Sequence, residues 1–362
     1  MRIAIDASRT TVHQRTGTEN YALQLIRRLL ALDTSHEFHL YFRDEPPDHL
    51  FPTKNYTPHV IPFLRAWTHV RFASEVWRIR PDVTFVPAHT LPAAFPGKAV
   101  VTVHDLGYLY FPQAHPRREY HYLDLTTRHS AHRASIVLTD SIATQQDLVY
   151  FYDVLPEKTR VVYPGIDENL APVRQKSGVE AMRRKYRLPE NYLLFIGTLQ
   201  PRKNIERLVN AFSKWQENSR RQDVLLALAG KPGWLYEPAW AEGKKNVRLL
   251  GYIDDADIAA LYSGALGLVF PSLYEGFGFP VLEAMCCETP VLCSSTSSLP
   301  ELAGDAAILV NPESVTAIEN GIRQLVEDPI TRQSLIERGR DQVKAFTWQK
   351  AAEAALAALE EA

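Results

Sequence analysis

Cysteine is scarce in the 362-residue sequence: Cys286, Cys287 and Cys293 fall close together, with no second group facing them. That excludes a disulfide framework and fits a reducing compartment. An excess of one charge is also lacking. The 40 basic and 42 acidic residues leave a net charge of −2, which argues against a nucleic-acid binder. No run reaches the roughly 18 apolar residues that a membrane span requires. The opening "MRIAIDASRT" has neither the long apolar stretch nor the small-residue cleavage site of a signal peptide. The Walker A pattern is absent, so a P-loop nucleotidase is disfavoured. What remains is an ordinary globular composition, 46% hydrophobic and 23% charged, in a chain long enough for two domains. A cytoplasmic protein is expected, with any membrane contact peripheral.

Short β-branched runs alternate with helical patterns over nearly the whole length. "RIAID" at 2–6 precedes "TENYALQLIRRLLALD", in which Leu23, Ile26, Leu29 and Leu30 keep one stripe. "FHLYF", "VTFVP", "AVVTVHD", "SIVLTDS" and "RVVYPG" follow. They are continuous apolar runs rather than strict alternations, as in parallel strands buried on both faces. The polar stretch "YPGIDENLAPVRQKSGVE" is the best linker candidate. Beyond it the pattern restarts with "YLLFIG", "VLLALAG", "VRLLGY", "LGLVFPS", "PVLCSS" and "AAILV". The expectation is an α/β doubly wound fold in two domains, 1–168 and 176–346. A cleft between the carboxyl ends of the two sheets would be the ligand site. The final "FTWQKAAEAALAALEEA" reads as a helix.

Two stretches concentrate chemistry. In "EGFGFPVLE", 275–283, Gly276 and Gly278 let the backbone approach a ligand, and Pro280 suits a helix's first turn. The amides from Phe277 to Val281 then point outward as anion or hydroxyl donors. Glu275 and Glu283 flank them as acceptors for a polyhydroxylated ligand. A capped surface helix with a Gly-rich connector would explain either glutamate alone, but not the whole arrangement. In "FIGTLQPRKNIERLV", 195–209, a buried strand leads through a polar loop to a helix beginning near Asn204. Arg202 and Lys203 stand just before its positive end, which suits a diphosphate better than a merely solvated basic turn.

"GTLQPRKNI" followed by "PSLYEGFGFPVLEAM" resembles the retaining, nucleotide-sugar-dependent glycosyltransferases of family 4, the group 1 glycosyltransferases. The likeness extends to "RTGTENYALQLIRRL", "VVTVHDLGYLYFP", "RVVYPGID" and "FTWQKAA", and so to essentially the whole chain. It implies the GT-B architecture of two facing Rossmann-like domains, with helix 347–362 crossing back to the first. It also implies roles for residues. Arg202 and Lys203 would neutralise the donor diphosphate. Glu275 and the amides of Phe277, Gly278 and Phe279 would hold the donor sugar, and Glu283 the ribose. The backbone of Gly251, Tyr252 and Ile253 would line the base pocket. Gly17 would approach the diphosphate from the first domain, and His104 the donor sugar near its reacting face. Many relatives carry a double glycine in the first loop, where this chain has Thr16 before Gly17.

Other motifs have plainer explanations. "DDAD", 254–257, contains the D-x-D of metal-dependent glycosyltransferases, but an N-cap with an acidic first turn accounts for it better. "GFGFPV" has Val281 where a dinucleotide fingerprint needs its third glycine. His115, His121, His129 and His132 have no zinc spacing and suit a polar helix face. The basic, aromatic stretch 63–80 is an amphipathic helix pattern, with interfacial binding the lesser alternative. No metal or other cofactor is expected, because fixed cations and a helix N-terminus supply the charge that stabilises a departing diphosphate. The resemblance implies same-face transfer of a hexose, with GDP-mannose the first donor and a UDP-sugar the next. The acceptor is expected to be a sugar, or a glycan on a polyprenyl lipid, in bacterial surface polysaccharide assembly. The alternatives are a sugar-nucleotide epimerase or hydrolase on the same scaffold, or a non-catalytic nucleotide-sugar binding subunit.

Overall fold

The structure is a computed structural model, and it describes all residues except 13–16, 52, 54, 64 and 220. Thr16 therefore lies outside the described residues. The chain forms two compact units: Met1–Gly165 with Phe346–Ala362, and Ile166–Ala345.

The first unit holds a seven-stranded parallel sheet. Its strands are β1 (Arg2–Asp6), β2 (Glu37–Phe42), β3 (Thr57–Val60), β4 (Val83–Val86), β5 (Lys98–Val103), β6 (Ile136–Thr139) and β7 (Thr159–Val161). The order is β3-β2-β1-β4-β5-β6-β7, so the direction of winding reverses between β1 and β4. β4 and β6 are buried along their entire length, as continuous apolar runs predict. β3 was not foreseen: "TPHV" is short, carries a proline and is half exposed, which only an edge position tolerates.

Helix Trp348–Glu361 belongs to this unit. Trp348, Ala351, Ala352, Ala355, Ala358 and Leu359 form one buried stripe in the same core as Leu23, Ile26 and Leu30 of helix Gly17–Ala31. Thr347 caps it, its hydroxyl accepting from the Lys350 amide at 3.2 Å. The alanines let the helix lie close. At Gly165 the approach is closer still, since a Cβ there would stand 2.1 Å from the Trp348 nitrogen.

The second unit holds a six-stranded parallel sheet: β8 (Tyr192–Ile196), β9 (Leu225–Ala229), β10 (Val247–Gly251), β11 (Gly267–Phe270), β12 (Val291–Ser294) and β13 (Ala307–Val310). Its order, β10-β9-β8-β11-β12-β13, repeats the plan of the first, with the reversal between β8 and β11. The proposed linker is partly ordered, because Lys176–Tyr186 is a helix that buries Met182. Its charged composition hid a narrow apolar side. Both sheets are Rossmann-like, and in such sheets ligands collect at the carboxyl edge where the winding reverses.

Candidate active site

In the second unit β8 and β11 are hydrogen-bonded neighbours, so the segments leaving their carboxyl ends lie side by side. Leu273 donates its amide to the Arg202 carbonyl at 2.8 Å, joining the two segments through the main chain. Residues some 70 positions apart are thereby brought together. Pro201–Lys203 makes one 3-10 turn, Asn204 adopts a left-handed conformation (φ 61°), and helix Ile205–Asn218 follows. The Asn204 amide group donates to the carbonyls of Pro271 (3.0 Å) and Pro312 (2.7 Å), fixing the turn.

Arg202 and Lys203 converge on one carboxylate. Lys203 Nζ donates to Glu275 Oε1 at 2.6 Å, and Arg202 Nη1 donates to Glu275 Oε2 at 2.8 Å and to the Tyr274 carbonyl at 2.7 Å. Glu275 is only 6% exposed. Burial pushes its pKa up, but Arg202 and Lys203 outweigh burial and hold it below the ordinary 4.5. The group is charged when folded. Its stabilisation is complete above about pH 4.5 and is lost as pH falls through the lowered value. Two cationic side chains thus meet on one buried carboxylate at the carboxyl edge. The sequence placed these residues in two separate stretches, but the structure makes them one site.

Glu275 is fixed from behind by serines that the motif did not reveal. Its amide donates to Ser297 Oγ at 3.0 Å, and Ser298 Oγ donates to the Glu275 carbonyl at 3.0 Å and also to that of Phe277. Gly278 has φ +117°, and a Cβ there would stand 2.6 Å from Leu299 Cδ2. Gly278→Ala is therefore expected to cost about 1–3 kcal/mol and to displace the loop. Thermal melting together with transfer rate checks this: both should fall, and an unchanged melt would contradict it. Phe279 begins the eight-residue helix Phe279–Cys286, with Pro280 in its first turn as the sequence indicates, and Val281 is buried.

Glu283, within that helix, is partly buried. Tyr262 donates its hydroxyl to Glu283 Oε2 at 2.8 Å. Burial raises the Glu283 pKa, the Tyr262 bond lowers it in part, and Asp167 adds to the rise. Gly251 ends β10 with φ +71°, beside β9 on the same sheet edge. Tyr252 is 59% exposed and Ile253 is buried. Lys231 Nζ lies 5.0 Å from the Tyr252 ring centre. All the second-unit candidates thus lie on segments leaving the carboxyl ends of β8, β10 and β11.

Asp254 occupies the N-cap position of helix Asp255–Ser263, but its side chain caps no amide. Lys185 instead pairs with both Asp254 and Asp257, and the Tyr186 hydroxyl donates to Asp257 at 2.9 Å. The N-cap position and the acidic first turn, Asp255 and Asp257, are as the sequence indicates; only the side-chain cap is missing, and the Lys185 pairing takes its place. Among the described residues no group of three His, Cys, Asp or Glu side chains could hold a metal ion.

In the first unit His104 follows β5, and Asp140 follows the adjacent β6. His104 Nδ1 lies 2.7 Å from Asp140 Oδ2, and Nε2 lies 3.3 Å from the Pro87 carbonyl. Burial alone would lower the His104 pKa, but Asp140, together with the Pro87 carbonyl and Asp105, outweighs it and the pKa is raised. Gly17 is the first residue of its helix, not part of the loop before it, and a Cβ there would meet nothing within 4 Å among the described residues. The suspected histidine cluster lies on helix Arg117–Arg133 and just before it. His121, His129 and His132 are exposed, and His115 faces Glu119 Oε1 at 3.1 Å.

Comparison with known proteins agrees with this fold. The family model "Glycosyl transferases group 1" matches residues 179–342, and "Glycosyltransferase Family 4" matches 15–170. The O-antigen chain mannosyltransferase B of Escherichia coli is 30% identical over 357 residues, covering 92% of this chain and 93% of that protein. The O-antigen chain mannosyltransferase RfbU of Salmonella typhimurium is 27% identical, over 67% of this chain and 64% of its own. Among solved structures, sucrose-phosphate synthase from Thermosynechococcus elongatus superposes with a TM-score of 0.73 at 21% identity, covering 99% of this chain and 98% of that one, a likeness of fold. The chain belongs to the group 1, family 4 glycosyltransferases, and its two Rossmann-like units are the GT-B architecture of that family.

Proposed function

We propose that this glycosyltransferase moves mannose from GDP-mannose to a sugar or polyprenyl-linked glycan, with retention of anomeric configuration and without a metal. The observation that carries the proposal is the convergence of Arg202 and Lys203 on the buried Glu275 at the carboxyl edge. A sugar nucleotide reacts by losing its diphosphate, so catalysis means stabilising negative charge that grows on that group. Arg202 and Lys203 receive the diphosphate and supply the counter-charge that a metal provides elsewhere. Glu275 sets their geometry and, with the amides of Phe277, Gly278 and Phe279, accepts and orients the sugar. Val281 stands in the same turn. Glu283 accepts from the ribose, and Gly251, Tyr252 and Ile253 border the base. Gly17 and His104 take the diphosphate and sugar roles of the first unit. A diphosphate oxygen removes the acceptor proton as the new bond forms on the same face.

Mannose is supported by the names of the relatives, both O-antigen mannosyltransferases. A cytoplasmic enzyme in peripheral contact with a membrane is the location we propose. Phe63, Trp77, Tyr122 and Leu125 are exposed, close in sequence to basic residues. No helix among the described residues is long and apolar enough to cross a membrane.

The test is a panel of GDP- and UDP-sugars, assayed for transfer with and without EDTA. GDP-mannose is expected to be used best, EDTA to change the rate less than about twofold, and the product to be the α-anomer by NMR. Loss of activity in EDTA that is restored by Mg²⁺ or Mn²⁺ would contradict the metal-free mechanism. An inverted product would contradict retention.

A further inference from the structure

The ring of His104 is held on two sides, and the chemistry of its neighbours restricts where its protons sit. The Pro87 oxygen, 3.3 Å from Nε2, is a carbonyl and can only accept, so a hydrogen bond between them requires the proton on Nε2. Nδ1 and Asp140 Oδ2, 2.7 Å apart, then share one further proton. The ordinary affinities of imidazole and carboxylate favour the imidazole by roughly 400-fold; burial raises the Asp140 pKa, and against burial Asp140 in turn raises that of His104. The surroundings include further titratable groups. Tyr21, from helix Gly17–Ala31, meets the ring edge-on at 4.7 Å, and His89, from the segment after β4, lies at 5.3 Å. Asp105 adds negative charge beside His104, and Arg9 adds positive charge beside His89. Burial first, and then His104, push His89 down to about 4, so it is neutral near pH 7 and does not compete for charge.

We propose that Asp140 is a positioning residue that holds His104 as a doubly protonated imidazolium, so that His104 acts in transfer as a fixed hydrogen-bond-donating cation and not as a base. The proposal rests on the reading that His104 takes part in transfer. A fixed positive charge is a poor neighbour for an oxocarbenium-like carbon and a good one for a hydroxyl or phosphate oxygen. The Nε2–H contact to Pro87 is longer than the usual 2.9–3.0 Å. That proton is the one a ligand oxygen would take.

Asp140→Asn preserves shape but removes the charge. The amide then donates to Nδ1 while Nε2–H still faces Pro87, which gives a neutral ring. The expected result is a kcat about 10–100-fold lower above pH 7, with KM within about threefold. The deficit should shrink only as pH falls below the ordinary 6.5 toward the ring's own value, which burial lowers once the Asp140 charge is gone. Asp140→Glu should restore part of the rate. An equal deficit at every pH would make Asp140 merely structural and overturn the proposal. Nitrogen-15 NMR of the full-length wild-type enzyme should show both His104 ring nitrogens protonated at pH 7.5. A ring with one bare nitrogen would overturn the proposal whatever the kinetics. Unchanged transfer by His104→Ala would overturn the role in transfer, even if the wild-type ring proved doubly protonated.

Discussion

Lys203→Ala is expected to lower kcat for sugar transfer by about 10²–10³-fold, the cost of removing one group aimed at developing charge. The prediction is specific because Lys203 is not an ordinary surface lysine. Its ammonium is buried against Glu275 and stands 4.8 Å from the Phe270 ring centre, at the end of β11. Its stem passes the Gly197 turn, where a Cβ would lie 3.7 Å from Lys203 Cε. The side chain is therefore held in place by its protein neighbours. Lys203→Arg should recover only part of the rate, because a planar guanidinium does not replace a point charge in that space. Melting temperature measured beside kcat separates lost chemistry from lost fold. A variant that folds and transfers within about threefold of wild type would contradict the role given to Lys203.

The second large effect is on stability as well as rate. Glu275→Gln removes the negative charge that pairs with both Arg202 and Lys203 and turns an N–H₂ group toward one of them. Leaving buried charge uncompensated costs about 3–5 kcal/mol, or roughly 6–20 °C in the melting of a unit of this size. Transfer should fall with it, since both cations lose their anchor. Pyrophosphate should narrow the stability gap, by giving the two cations a replacement anion. Differential scanning calorimetry with and without pyrophosphate checks this. A variant as stable as wild type, with no larger gain from pyrophosphate, would contradict the arrangement.

Much of the fold was legible because parallel strands buried on both faces must be nearly continuous apolar runs. "VTFV", "IVLT" and "LLALA" could hardly be anything else. β3 escaped because an edge strand needs no such run, and helix Lys176–Tyr186 escaped because its apolar side is narrow. Both chemical stretches of the second unit were visible as glycine-, cation- and acid-bearing turns. Their union was not, because it depends on β8 pairing with β11, and pairing order leaves no local mark. Asp140 was hidden for the same reason: "SIVLTDS" reads as a strand end, and only adjacency of β5 and β6 brings its carboxylate to His104. Ser297 and Ser298 sit in a serine-rich stretch whose composition does not say which carbonyls they hold.

The central claim is that Arg202, Lys203 and Glu275 form the seat of the donor diphosphate. The most direct measurement is a crystal structure of the enzyme with an intact nucleotide sugar. The account predicts diphosphate oxygens within hydrogen-bonding distance of Arg202 and Lys203, at the carboxyl edge between β8 and β11. A donor bound with its diphosphate away from both cations would contradict it.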